Sequence, residues 1–155
     1  MLIWSCSTHF QVILIECESV DDIVFTKDGR YAKGLNSGIK QVNEWKAYIE
    51  NHKLAVQANL ARIALKKDVL GVHKGEVRND RGGDRLSDMS TLVIFKYKII
   101  CGRASNMSQD ARSRVPSLPH DLMFSTYDRL LSNAKEHDKN RLERCRVGLS
   151  APDDM

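Results

Sequence analysis

No stretch of this 155-residue chain approaches the roughly 18 consecutive apolar residues that a membrane-spanning helix needs. The opening Met1-Leu-Ile-Trp4 also lacks the basic start and long apolar run of a secretory leader. These two absences point to a cytoplasmic protein with no membrane partner. The four cysteines, Cys6, Cys17, Cys101 and Cys145, include no Cys-x-x-Cys pair, which removes a zinc knuckle and a thioredoxin-like motif. They read as reduced thiols, and Cys17 and Cys101, in apolar strands, as small buried hydrophobes. Neither charge sign dominates: 24 Lys and Arg stand against 20 Asp and Glu, interspersed, so charge alone does not argue for nucleic acid. Two local absences matter more. Residues 1 to 15 contain no Asp or Glu, and Ala32 to Lys66 contains no Pro.

What is present is enough apolar sequence, 42%, for one soluble domain with a core, and at this length one domain is expected. The chain is organised around Val12 to Trp45. In Val12-Ile-Leu-Ile-Glu-Cys-Glu18 the side chains alternate, so Val12, Leu14, Glu16 and Glu18 share one strand face and Ile13, Ile15 and Cys17 the other. Same-face neighbours lie roughly 6.5 to 7 Å apart. Two carboxylates at that spacing beside a core favour a cation, or a proton held between them. The same pattern fits a strand end turning polar as it meets water, so the pair needs support from elsewhere in the chain.

Taken in order, Leu2 to Trp4 and Phe10 to Ile15 read as a hairpin joined by Ser5 to His9, the second strand central. Ser19 to Asp22 reads as a turn, Ile23 to Phe25 as a short extended piece, and Lys27-Asp-Gly29 as a tight turn. A helix follows from about Ala32 to Lys66, with Leu35, Ile39, Val42, Ile49, Val56, Leu60 and Ile63 at helical spacing and a break near Asn51-His52. Gln41, Trp45 and Tyr48 flank its apolar stripe, together with Gly34 and Gly38. The two glycines would admit another backbone, such as the strand ending in Glu16. His73 to Ser90 reads as a solvated loop, its Arg78, Arg81 and Arg85 offset by Asp80, Asp84 and Asp88. Thr91 to Cys101 is a second strong strand, Asn106 to Val115 a short helix, and Leu122 to Phe124 a strand. Ser125-Thr-Tyr-Asp128 has the pattern of a capping box opening a helix with Tyr127, Leu130, Leu131 and Ala134 on its apolar face. This order gives an α/β fold with a mixed sheet flanked by helices.

The string IECESVDDIVFTKDGRYAKGLNSGIKQVNEWKAYI, followed by the strand-ending ICGRAS and by FSTYDRLLSNA, resembles the Shedu family of antiphage-defence proteins, specifically its nuclease domain. The resemblance runs from Val12 to about His137. It implies a restriction-endonuclease-like fold of the PD-(D/E)XK type: a single domain over residues 1–137, lacking its first strand region, with a charged, partly disordered tail over 138–155. It further implies Mg²⁺- or Mn²⁺-dependent cleavage of DNA by a metal-activated water, with no small-molecule cofactor and with room for a homo-oligomer. Glu16 would hold the metal, with the backbone carbonyl of Cys17 as second ligand, and Gln41 would approach the site from the helix with Trp45 one turn on. Glu18 stands where the superfamily usually has Lys, and would act as an extra metal ligand or a general base. The superfamily also uses an acid, usually Asp, on the preceding strand. In its place the resemblance leaves three options: a longer protein supplying it, substitution by Asp21, Asp22 or Glu44, or an inactive site. A degenerate nuclease fold that binds nucleic acid or protein without cutting is therefore the competing expectation.

Overall fold

The computed structural model describes residues 1–6, 8–67, 72–73, 76–78 and 84–147. Its centre is an open four-stranded sheet in the order β1 (Leu2–Ser5), β2 (Phe10–Cys17), β5 (Val93–Ile100), β6 (Leu122–Ser125). β1 and β2 pair antiparallel as the expected hairpin, closed by Cys6 N–H donating to the His9 carbonyl at 2.8 Å. β2, β5 and β6 are parallel, so all three end at one edge. β2 and β5 are built from β-branched and aromatic residues and are paired on both sides, which suits their near-continuous apolar sequences.

The parallel register puts Phe10, Val12, Leu14 and Glu16 beside Val93, Phe95, Tyr97 and Ile99 on one face. α1 (Lys33–Lys66) covers that face. Its first half inserts Leu35, Val42 and Ile49 beside Tyr97 and Ile99, and its second half sets Leu60 and Ala64 against Phe10, Val12, Leu86 and Val93. The expected break is present: His52 leaves helical geometry at φ −130°, ψ 27°. Beyond it the buried stripe moves on by one residue. Gln57, Leu60 and Ala64 are buried, and Ile63, expected in the stripe, is 43% exposed. A seven-residue repeat drifts around a helix of 3.6 residues per turn, and the kink adds to that drift.

Other expectations change in detail. Cys17 is exposed, because it ends β2 on the face away from α1, whereas Cys101 is fully buried. Part of the expected loop from His73 to Ser90 is ordered: β3 (Val72–His73) pairs antiparallel with β4 (Glu76–Val77), and Arg78 bridges Arg85. Asp80 and Arg81 lie outside the described residues. α2 (Gln109–Arg114) is capped by Ser108, whose hydroxyl accepts from Ala111 N–H at 3.1 Å. α3 (Tyr127–Val147) continues across residue 138. Its cap is Thr126 rather than Ser125, since the Thr126 hydroxyl faces Arg129 N–H at 3.4 Å. Its expected apolar face is unpacked, with Leu130 39% and Leu131 57% exposed. Among the described residues, no helix is long and apolar enough to cross a membrane.

Candidate functional site

The sequence directs attention to Glu16 and Glu18, and the fold puts both at the edge where β2, β5 and β6 end. In parallel sheets this carboxyl edge is the usual place for ligands, because the connecting loops gather there. Three loops meet at this one: the Ser19–Asp22 turn, the segment from Gly102 to a 3-10 turn at Ala104–Asn106, and the start of α3.

Gly102 fastens them. Its N–H donates to the Ser19 carbonyl at 3.1 Å, and its own carbonyl accepts from Tyr127 N–H at 3.0 Å. Its φ of +63° favours glycine, and a Cβ there would lie 2.4 Å from the Asp22 carbonyl oxygen. Tyr127 then reaches back across the edge, its phenol donating to the Glu18 carbonyl at 2.7 Å. Burial raises the phenol pKa, followed by the nearby Cys17 and Cys101 thiols, so it stays a proton donor at neutral pH. Asp128, read from the sequence as half of a capping box, instead accepts from Ala104 N–H at 2.6 Å and faces Arg103 at 3.8 Å. The Thr-Tyr-Asp run thus caps α3, pins the strand end carrying Glu18 and fixes the turn after β5. Sequence reasoning gave Tyr127 only an apolar role. The signal it had was the phenol at a helix start following a buried strand, where a hydroxyl seeks a partner.

The acids face α1 through its glycines. A Cβ on Gly38 would meet Glu18 Oε1 at 3.3 Å and Ile99 Cδ1 at 3.2 Å, and one on Gly34 would meet Asp22 Oδ2 at 2.2 Å. The close approach expected of these glycines is therefore made by side chains rather than by a strand backbone. Gly34 and Gly38 are one turn apart, so Asp22 and Glu18 lie in succession along the first turns of α1. That end of the helix has no side-chain cap and no acid in its first turn, and Asp22 supplies negative charge there from outside the helix.

The electrostatics agree with a crowded anionic edge. Burial, and then the charge of Glu18, hold the Glu16 carboxyl above the usual range. Burial, then Asp22 and Glu18, push the Cys101 thiol up to about 11, so it stays protonated and is no nucleophile at neutral pH. Among the described residues no Lys, Arg or His forms an ion pair with Glu16, Glu18 or Asp22.

The remaining candidates are spread out. Gln41 is exposed one turn after Gly38 and makes no hydrogen bond among the described residues. Trp45 packs against the core, while Tyr48 is 59% exposed and meets the His52 ring at a 46° tilt with centroids 4.6 Å apart. Asp21 is exposed, and Glu44 faces Lys40 at 3.9 Å on the outer surface of α1. Of the three acids offered as substitutes, Asp22 is the one whose charge reaches the same thiol as Glu18. Among the described residues, no three His, Cys, Asp or Glu side chains converge as a ready metal cage.

A family model described as the C-terminal part of the Shedu protein SduA matches residues 2–131, from β1 into α3. The chain belongs to the Shedu family. The match takes in Glu16, Glu18, the α1 glycines, Gly102 and the Thr-Tyr-Asp run, so every element of the edge lies inside the Shedu region. Membership ties this chain to a prokaryotic antiviral defence protein. No curated protein and no solved structure matches the chain.

Proposed function

We propose that this Shedu-family domain is a metal-dependent DNA endonuclease of the restriction-endonuclease-like type, working in the cytoplasm, with Glu16 and Glu18 at its centre. The observation that supports this most is the pair of carboxylates held at the edge where the three parallel strands of the mixed sheet end, mutually repelling and without a cationic partner among the described residues. A divalent cation relieves such repulsion. The donor set suits Mg²⁺ or Mn²⁺, because Mg²⁺ is commonly bound by one or two carboxylates with waters and substrate phosphate rather than by an all-protein cage. Glu16 would hold the ion, with the Cys17 carbonyl as second ligand and Glu18 as further ligand or base. When bound, the ion supplies a water of lowered pKa and neutralises charge on a phosphodiester.

The chain's own residues do the rest. Tyr127 fixes the Glu18 backbone, and Gly38 leaves room for the Glu18 carboxylate. Gln41, exposed on the same helix, would reach substrate rather than metal.

A non-cutting binding domain is the second reading. It is favoured by the placement of Asp22, whose carboxylate is already set against the start of α1. Incubation of linear and plasmid DNA with the chain and with Glu16→Gln, in Mg²⁺ or Mn²⁺, separates the two. Cutting by the parent that is lost in the variant supports the nuclease. Binding without cutting by both supports the second reading.

A further inference from the structure

Beside the acidic edge the charge changes sign. The Gly102 to Ala104 segment leads from it to α2, where Arg112 Nη2 donates to the Ala104 carbonyl at 2.9 Å. On the other flank of α2 the Arg114 guanidinium, oriented by Asp110 at 3.0 and 3.1 Å, lies over Gly29. Gly29 sits in the tight turn that Thr26 closes with Arg30, through Thr26 N–H to the Arg30 carbonyl at 2.9 Å. A cavity of about 280 Å³ separates this turn from α2, with Lys27, Asn106 and Arg114 in its wall. Residues 23–30 and 103–117 together carry five basic side chains, Lys27, Arg30, Arg103, Arg112 and Arg114, against Asp28 and Asp110 within them and Asp128, which faces Arg103 from α3. Five against three is a larger basic excess in proportion than the 24 against 20 of the whole chain. Lys27 and Arg30 are exposed and form no ion pair among the described residues.

We infer that α2 and the Thr26–Arg30 turn form the track on which the phosphate backbone of duplex DNA rests, leading toward the acids of the proposed site. The inference rests on the nuclease reading for its direction, but the track itself needs only a polyanion. Duplex is favoured over single strand because the track offers no aromatic platform. Single-strand binders stack bases on exposed rings. Here Phe25 is buried, and Tyr31 is half-buried with its phenol donating to the Ser117 carbonyl at 3.3 Å. Paired Arg114 and Arg112 hold fixed positions, and free Lys27 and Arg30 supply the mobile charges that exchange with counterions.

The test is binding of a fluorescent 20-base-pair duplex in EDTA, across a range of NaCl concentrations, by the full chain. Lys27→Glu with Arg30→Glu is compared with Arg62→Glu with Lys66→Glu, two exposed cations on the second half of α1. Circular dichroism confirms that each variant is folded. The first pair is expected to weaken binding at least about tenfold at low salt and to flatten the slope of log Kd against log salt by about 2, near 0.9 per phosphate contact. The second pair is expected to change affinity less than about twofold. Equal losses from both pairs, no loss from the first, or tighter binding of a single strand of the same length would overturn the track. If the parent binds through the track yet never cuts with metal, the nuclease reading fails and the track stands. If it cuts while the first pair has no effect on binding, the reverse holds.

Discussion

The two ends of the sheet face of α1 are built on different terms. At the far end, Leu60 and Ala64 close over Phe10, Val12, Leu86 and Val93, and one buried amide, Gln57, ties down the loop before β5. Gln57 Nε2 donates to the Leu86 carbonyl at 3.2 Å and to that of Asp88 at 2.5 Å, while among the described residues its Oε1 has no partner. At the carboxyl edge the same helix meets charges. There Tyr127, Asp128 and Gly102 fasten three loops through backbone groups, and Glu16, Glu18 and Asp22 are left without countercharges among the described residues. The first end is mostly apolar packing, with one buried amide as its polar exception. At the second, burial and the charge of Glu18 raise the Glu16 pKa, which is why we propose the edge, rather than the better packed end, as the functional one.

Substitutions at the two ends should therefore diverge. The largest effect is expected from Gly102→Val, which puts a β-branched side chain at positive φ into contact with the Asp22 carbonyl. It should cost at least about 2 kcal/mol in urea denaturation and displace the Ser19–Asp22 turn, abolishing any metal response. Gln57→Leu, at the far end, removes the donor to the loop carbonyls but also the orphan acceptor. A loss of about 1–2 kcal/mol is expected, with faster amide exchange over residues 86–91 and an unchanged metal response. If Gln57→Leu altered metal binding as strongly as Gly102→Val, the contrast between the ends would collapse.

Tyr127→Phe removes one hydrogen bond at the carboxyl edge and little volume. About 1 kcal/mol of stability should go. Metal affinity should fall about tenfold, as for other groups that orient a ligand without touching the ion. The smallest effect belongs to Glu16→Gln without metal, and its sign is opposite. Because burial and Glu18 raise the Glu16 pKa in the folded chain, its ionised form opposes folding. That penalty is absent below the unfolded value of about 4.5, builds as pH rises from there toward the raised folded value, and is constant above it. The variant should match the parent in thermal melts near pH 4 and melt slightly higher at pH 7.5 in EDTA.

Much of this edge could be read from the sequence. Alternation in Val12 to Glu18 put both glutamates on the covered face, because a strand's period of two leaves one choice once Val12 and Leu14 are buried. The break at His52 and the glycine flank of α1 were legible for the same reason: local polarity and missing side chains act within one element. The contacts that were missed join elements far apart in the chain. Nothing near Asp128 reveals that it serves Ala104 rather than its own helix, and nothing near Cys17 reveals that its side of β2 lies open. Likewise the basic track pairs a turn at residue 30 with a helix at 110, which no local pattern contains.

We propose that Glu16 and Glu18 together hold a divalent cation, and titration calorimetry with Mn²⁺ at pH 7.5 would detect it. A saturable site is expected in the parent, at least about tenfold weaker in Glu16→Gln and weaker again when Glu18→Gln is added, with both variants folded. Equal Mn²⁺ binding by the parent and the double variant, or no saturable binding by a folded parent, would contradict it.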